Sequence, residues 1–124
     1  MSKRKKSVLI VDDEPSIRDS VSRILQKYGY QAESACGGKE ALETAPLFKP
    51  DVVLLDIIMP GMDGYEVCKR LRVICPNSKI IYFTAKVELR NIFEDGEGAV
   101  TADAILEKPA NSETILACIE RVML

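Results

Sequence analysis

The chain has 124 residues, of which 47% are apolar, so its length and composition suit one domain with a single hydrophobic core. The net charge is -2, and four of the basic residues stand together at positions 3 to 6. The other thirteen basic and nineteen acidic residues leave the body at -6, which argues against nucleic acid or an anionic membrane as the main partner. We predict a basic disordered tail over residues 1–6 and one folded domain over residues 7–124.

Two further classes of protein are disfavoured by composition. No apolar stretch approaches the roughly 20 residues of a membrane span, and the sequence shows no signal peptide. The chain has no histidine, and its four cysteines are far apart with no CxxC pair, which argues against a zinc site and against a disulfide framework. We therefore expect mostly buried, reduced thiols in a cytoplasmic protein.

Short apolar runs alternate with longer helical patterns along the chain. The first half predicts, in order, a strand at Ser7–Val11, a helix from Pro15 to Tyr28, a polar edge strand at Gln31–Ala35, and a helix at Lys39–Ala45 that ends before Pro46. The second half predicts a strand at Val52–Leu55, a helix at Tyr65–Ile74, a strand at Lys79–Phe83, a helix at Val87–Phe93, a strand at Asp103–Leu106, and a final helix at Ser112–Met123.

Five alternating strand–helix pairs predict an α/β fold with a parallel sheet and helices on both of its faces. The nearly continuous apolar strands agree with this, because a central parallel strand is buried on both sides.

Polar and charged residues stand at the ends of four predicted strands. Asp12 and Asp13 follow VLIV, Asp56 follows VVLL, Thr84 follows IIYF, and Lys108 follows AILE. The carboxyl ends of parallel strands share one edge of the sheet, where ligands of open α/β folds bind. We therefore expect these five side chains to form one pocket. In isolation each has a plainer interpretation: the acidic pair could be only a turn and helix cap before Pro15.

Three carboxylates at one edge repel one another by a few kcal/mol per pair at about 4 Å. Lys108 supplies one compensating charge, and Mg²⁺, which prefers carboxylate and water oxygens in octahedral geometry, would supply two more. A carboxylate in such a pocket can attack phosphorus and form an aspartyl phosphate. The metal ion, Lys108 and Thr84 would then stabilise the phosphoryl oxygens.

The motifs VLIVDDEP, VVLLDIIMPGMDG, FTA and EKP, in this order, resemble those of the receiver domain of two-component response regulators. The resemblance covers about Ser7 to Met123. It implies a flavodoxin-like (βα)5 fold, a doubly wound parallel sheet with strand order 2-1-3-4-5. It also implies that Asp56 accepts a phosphoryl group from a sensor histidine kinase or phosphotransfer protein, with Thr84 and Lys108 as catalytic residues.

The resemblance further implies a Mg²⁺ site formed by Asp12, Asp13, Asp56 and the backbone carbonyl of Ile58. Phosphorylation would switch the surface of the fourth helix, fifth strand and fifth helix, which a downstream protein or an output domain outside this sequence would recognise. A homodimer through that surface is left open. The protein would be no enzyme in the usual sense, because it would catalyse only its own phosphorylation and dephosphorylation.

Three departures from the family pattern stand out. Ile105 occupies the position of the strand-5 switch aromatic, so we expect that half of the switch to be muted. The segment from Thr84 to Lys108 looks about two residues longer than usual, and its EDGEGAVTAD stretch predicts an irregular loop. Ile58 and Lys86 should flank the phosphoryl group, where isoleucine cannot position an attacking water.

Two alternatives remain. A degenerate receiver would act as a phosphorylation-independent protein-binding scaffold. A phosphohydrolase of the haloacid-dehalogenase type also forms an aspartyl phosphate, but it needs a second Asp two residues after the nucleophile. Ile58 stands there, which disfavours this enzyme class.

Overall fold

A computed structural model describes residues 5–85 and 102–124 of the chain. Five strands form one sheet: β1 (Ser7–Val11), β2 (Gln31–Ala35), β3 (Val52–Leu55), β4 (Lys79–Ala85) and β5 (Ala104–Lys108). The described helices are α1 (Pro15–Lys27), α2 (Gly38–Phe48), α3 (Gly64–Ile74) and α4 (Ser112–Val122). Here α4 is the last of the five helices that the sequence predicts, since the Val87–Phe93 prediction and most of the EDGEGAVTAD loop lie outside the described residues.

All neighbouring strands are parallel, and their order is β2-β1-β3-β4-β5. The predicted doubly wound fold is therefore confirmed, and β2, the most polar strand, lies at the edge. In the register of the sheet Val11 pairs with Leu55, and Leu55 pairs with Tyr82. The strands β1 and β3 thus end at the same level, while β4 continues three residues further.

The core consists of two layers, one on each face of the sheet. Buried residues of α2 and α3, among them Ala41, Val67 and Leu71, pack with one set of strand side chains. Buried residues of α1 and α4, among them Leu25 and Ile119, pack with the other set. The four described helices thus cover both faces of the sheet, and ligands of such open α/β folds bind at the carboxyl ends of the strands.

The prediction that α2 ends before Pro46 is wrong. The helix continues to Phe48, and Lys49 ends it in the left-handed conformation with φ 54°. Proline normally breaks a helix interior because it lacks an N–H and its ring crowds the preceding turn. Here Pro46 lies on the exposed side, while Ala45 is buried and Phe48 packs against the core, so contacts on both sides of Pro46 hold the last turn in helical geometry.

The bounds of two strands also differ from prediction. The strand β4 includes Thr84 and Ala85, and β5 begins at Ala104 and ends at Lys108. The two strands pair to their last residues, Ala85 with Lys108, so backbone hydrogen bonding carries both beyond the apolar run that marks them in the sequence.

Two other predictions can be compared with the described residues. None of the four cysteines, all of which the structure describes, forms a disulfide bond. Cys68 and Cys118 are buried, Cys75 is half-buried and Cys36 is exposed, so the expectation of mostly buried thiols holds for only part of the set. None of the helices in the described ranges is long and apolar enough to cross a membrane.

Candidate functional site

An acidic cluster lies where β1 and β3 end. Carboxylate oxygens of Asp12, Asp13 and Asp56 all lie within 4.8 Å of one another. Asp12 and Asp56 are buried, with 1% and 7% of their surface exposed, whereas Asp13 is exposed. The structure therefore brings together the three acids that the sequence placed at this edge.

Lys108, at the end of β5, reaches across the sheet edge into this cluster. Its Nζ donates a 2.6 Å hydrogen bond to Oδ2 of Asp12 and lies 3.5 Å from Oδ2 of Asp56. The Lys108 side chain is only 14% exposed, and its ammonium also lies 5.6 Å from the centre of the Phe83 ring. One cation is thus shared between two buried carboxylates, which Coulomb attraction in a poorly solvated site makes favourable.

Thr84 closes the pocket from β4. Its hydroxyl oxygen lies 3.3 Å from Oδ1 of Asp56, to which it donates a hydrogen bond, and the residue is 1% exposed. The backbone N–H of Ile57 donates a second hydrogen bond, of 2.8 Å, to the same oxygen. Because β4 extends beyond β3, Thr84 can stand beside a carboxylate that follows the shorter strand.

Lys108 offsets only part of the electrostatic cost of the buried Asp56 carboxylate. Burial raises the pKa of Asp56 above its ordinary value, Lys108 opposes this rise, and the charge of Asp12 adds to it. Burial alone would lower the pKa of Lys108, but its hydrogen bond to Asp12 and the charges of Asp12 and Asp56 raise it overall. A raised pKa of Asp56 means that its ionised form is disfavoured by folding, so this carboxyl contributes less stability as pH rises through its ordinary range.

The acids are held by contacts that the sequence analysis did not identify. The N–H of Glu14 donates to Oδ1 of Asp12, and Arg18 donates a 2.7 Å hydrogen bond to the Asp12 backbone carbonyl. Arg18 lies one helical turn after Pro15, so its position in α1 was a usable signal. These bonds hold Asp12 against the first turn of α1 and leave its second carboxylate oxygen for Lys108.

The loop after β3 is packed closely against the start of α3. The N–H of Gly64 donates to the carbonyl of Ile57, and Asp63 caps α3 by accepting from the N–H of Glu66. A Cβ on Gly64 would lie 2.6 Å from the Cα of Ile57, closer than real Cβ atoms approach. The glycine therefore permits an approach that fixes the backbone on either side of Asp56. Its signal in the sequence was a glycine directly after a helix-capping aspartate.

The donor set fits a hard divalent cation. Three carboxylates with one exposed member leave room for water ligands, which Mg²⁺ retains in protein sites. Ile58, two residues after Asp56, is 57% exposed. The assignment of its backbone carbonyl as a fourth protein ligand stays a prediction.

Comparison with known proteins decides the family. The family model described as "Response regulator receiver domain" matches residues 8–120 of the chain. The chain belongs to the response regulator receiver domain family. The resemblance inferred from its motifs is thereby confirmed, and the family is one of two-component signalling.

Curated relatives of two kinds match this receiver domain. Sporulation initiation phosphotransferase F of Bacillus subtilis is 40% identical over 117 residues, which are 94% of this chain and 92% of that protein. Response regulator MprA of Mycolicibacterium vanbaalenii is 37% identical over 110 residues, 89% of this chain but only 47% of the relative. The chain thus spans nearly all of the first relative and about half the length of the MprA proteins.

Solved structures agree with the fold. The chemotaxis protein CheY4 of Vibrio cholerae superposes with a TM-score of 0.86 at 38% identity, covering 96% of this chain and 99% of that one. Response regulator protein TrrA of Thermotoga maritima, solved in complex with Mg²⁺ and BeF, superposes with a TM-score of 0.81 at 34% identity, covering 94% and 98%. A receiver of similar structure therefore binds a magnesium–fluoroberyllate group.

Proposed function

We propose that this receiver accepts a phosphoryl group on Asp56, with Mg²⁺, from the phosphohistidine of a sensor histidine kinase or phosphotransfer protein. The observation that carries this proposal is the convergence of Lys108, Thr84 and two further aspartates on one buried carboxylate. Thr84 donates to Asp56, the Lys108 ammonium lies between Asp56 and Asp12, and Asp12, Asp13 and Asp56 together would form a set of metal ligands.

The chemistry follows from these positions. A carboxylate oxygen of Asp56 attacks phosphorus as the phosphorus–nitrogen bond to histidine breaks, and the imidazole leaves with that electron pair. Asp12, Asp13, Asp56 and the Ile58 carbonyl would hold Mg²⁺, which would neutralise charge on the phosphoryl oxygens. Lys108 and Thr84 move from the free carboxylate to the phosphoryl oxygens, which have taken over the negative charge.

The protein would catalyse only its own phosphorylation and dephosphorylation, and it would transform no separate substrate. Phosphorylation adds about -1.5 to -2 of charge at Asp56, which draws Thr84 toward the new group and shifts the population of nearby conformations. We propose that a downstream protein, or an output domain elsewhere in a longer chain, recognises the β5–α4 side. Ile105 on β5 packs half-buried against the core, consistent with a muted switch at that position.

Partners that need a basic surface are not part of this proposal. The net charge of -2 disfavours direct binding to nucleic acid or an anionic membrane. A receiver that obtains its phosphoryl group from a kinase acts in the cytoplasm, and we place this chain there. The alternative of a phosphorylation-independent scaffold is not favoured, because a scaffold has no need of two donors aimed at one buried carboxylate.

The proposal is tested by fluoroberyllate, which mimics the acyl phosphate. In Mg²⁺ with beryllium and fluoride, amide resonances at Asp56, Thr84 and Lys108 should shift, with a saturable dependence on Mg²⁺. The Asp56→Asn variant is the matched control, and its spectrum should not respond to fluoroberyllate. If the wild-type protein binds Mg²⁺ but its spectrum does not change with fluoroberyllate, the scaffold function is favoured instead.

We expect Ile58 to lengthen the lifetime of the phosphorylated form. Ile58 is exposed, lies two residues after Asp56 in the sequence, and offers no side-chain hydrogen bond to an attacking water. Replacing Ile58 with asparagine should accelerate self-dephosphorylation by roughly tenfold, less than the roughly 10²–10⁴-fold of a general acid or base, because asparagine can position the water but cannot take its proton. The decay of the phosphorylated protein after donor removal measures this, with Ile58→Val as the apolar control. Equal decay rates in Ile58→Asn and Ile58→Val would exclude a role for Ile58.

A further inference from the structure

The outer side of α2 and α3 carries an exposed apolar patch, away from the acidic pocket. Leu47 is 86% exposed, Val73 is 80% exposed and Ile74 is 45% exposed. Leu42 of α2 lines a shallow groove together with Val73 and Ile74 of α3. We call the outward face of these two helices the α2–α3 surface. It lies on the opposite face of the sheet from α1 and α4.

The charges on this surface are divided between its two sides. On the β2 side, Glu33, Glu40 and Glu43 surround a cavity that Leu47 also lines. On the α3 side, Lys69 and Arg70 line the groove beside Val73. Arg70 also forms a 3.1 Å ion pair with Glu66 of the same helix, so Lys69 is the cation on this side outside that pair. The charged residues that line the two cavities are therefore acidic beside Leu47 and basic beside Val73.

We propose that the α2–α3 surface binds a second copy of this chain. In a two-fold symmetric contact the same patch is used by both partners, so the patch must be complementary to itself. A two-fold axis near Leu42 places the acidic side of one copy, with Leu47, against the basic side of the other, with Val73. The contact between the acidic and basic sides and the contact between Leu47 and Val73 then each form twice, once on either side of the axis.

The size of the surface sets the strength of the dimer. Helices of 11 residues are about 16 Å long and pack about 10 Å apart, so the patch is smaller than the roughly 800 Å² per partner of a standard interface. The expected dimer is weak and exchanges rapidly, with a dissociation constant on the order of 0.1 mM. This dimer differs from one through the β5–α4 side, which uses the other helix layer.

Charge-reversal variants test the proposal. Their self-association is measured by sedimentation equilibrium at protein concentrations from about 10 µM to about 1 mM, a range that brackets the expected dissociation constant of the dimer. One variant, Glu33→Lys with Glu43→Lys, makes both sides basic; Glu40 is left unchanged because it accepts a hydrogen bond from the Cys36 N–H. The other variant, Lys69→Glu with Arg70→Glu, makes both sides acidic and also removes the Arg70–Glu66 ion pair within α3, whose effect on folding the thermal unfolding of this variant measures. Each alone should self-associate at least about tenfold more weakly than the wild type. An equimolar mixture should form a heterodimer at least as strong as the wild-type dimer.

The control reverses the same charges elsewhere. Arg23→Glu with Lys27→Glu changes the net charge as much as the Lys69 and Arg70 variant does, on exposed positions of α1. It should leave wild-type self-association within about twofold, since only long-range charge changes. A wild type that stays monomeric at about 1 mM, or a mixture that fails to recover association, would overturn the proposal. Thermal unfolding of each variant checks that it is folded.

Discussion

Replacing Lys108 with methionine is expected to lower the free energy of unfolding by about 2–4 kcal/mol in metal-free buffer, because removing one member of a buried ion pair leaves the others uncompensated. The ammonium lies 2.6 Å from a carboxylate oxygen of Asp12 and 3.5 Å from one of Asp56, and the lysine side chain is 14% exposed. Methionine keeps an unbranched side chain, one heavy atom shorter than that of lysine, and removes the charge. Urea unfolding followed by circular dichroism measures the change.

Two further conditions separate charge repulsion from lost packing. Adding Asp56→Asn to the Lys108→Met variant should restore part of the lost stability, because one of the repelling carboxylates is then neutral. Saturating Mg²⁺ should stabilise the Lys108→Met variant more than the wild type, since the dication takes the place of the missing cation. If Lys108→Met lowers the free energy of unfolding equally in the wild type and in the Asp56→Asn variant, packing and not charge accounts for the effect.

The pH dependence of the Lys108→Met variant has a defined sign. The pKa of Asp56 is already raised by burial and by Asp12, and removal of Lys108 takes away the charge that opposes this rise. A carboxyl with a raised pKa in the folded state contributes stability below its ordinary pKa and loses it as pH rises. The difference in free energy of unfolding between the wild type and the Lys108→Met variant should therefore shrink as pH falls toward 3.8, the ordinary pKa of an aspartate.

Replacing Gly64 with alanine is expected to cost about 2–3 kcal/mol of stability, a typical value for a group inserted where backbone cannot move aside. The new Cβ would lie 2.6 Å from the Cα of Ile57 and would also meet the carbonyl oxygen of Asp56. Relief requires that α3 and the loop after β3 move apart, which displaces Asp56. Small displacements of a reacting group can lower rates by about 10²-fold, so phosphorylation should slow more than stability alone explains.

Gly37 provides the matched control for this substitution. Gly37 likewise lies at a helix N-terminus, as the N-cap residue of α2. Its φ of -178° is ordinary extended backbone, and a Cβ there would meet nothing within 4 Å. Gly37→Ala should change stability by less than about 0.5 kcal/mol and leave phosphorylation unchanged. Thermal unfolding and phosphorylation rates of the two variants, measured side by side, test the contrast. A tolerated Gly64→Ala would contradict the close contact at the Asp56 loop.

The sequence predicts much of this architecture because the strands carry their own signals. Ser7–Val11, Gln31–Ala35 and Val52–Leu55 appear in the structure with the predicted bounds. Parallel topology then places their carboxyl ends at one edge, so Asp12, Asp13 and Asp56 could be grouped although they are tens of residues apart.

Other features depend on contacts between elements and have no local signal. The continuation of α2 through Pro46 depends on the burial of Ala45 and the packing of Phe48, and the extension of β4 and β5 depends on their pairing with each other. The contact that requires Gly64 exists only after α3 has packed against the Asp56 loop. The division of charge on the α2–α3 surface likewise appears only when both helices are placed.

The most direct test of the account is the intact mass of the protein after incubation with Mg²⁺ and acetyl phosphate. The account predicts one added phosphoryl group on the wild type, none on Asp56→Asn, and none on the wild type when the metal is removed with a chelator. Addition to Asp56→Asn at the wild-type rate, or no addition to a wild type that binds Mg²⁺, would contradict the assignment of Asp56 as the phosphoacceptor.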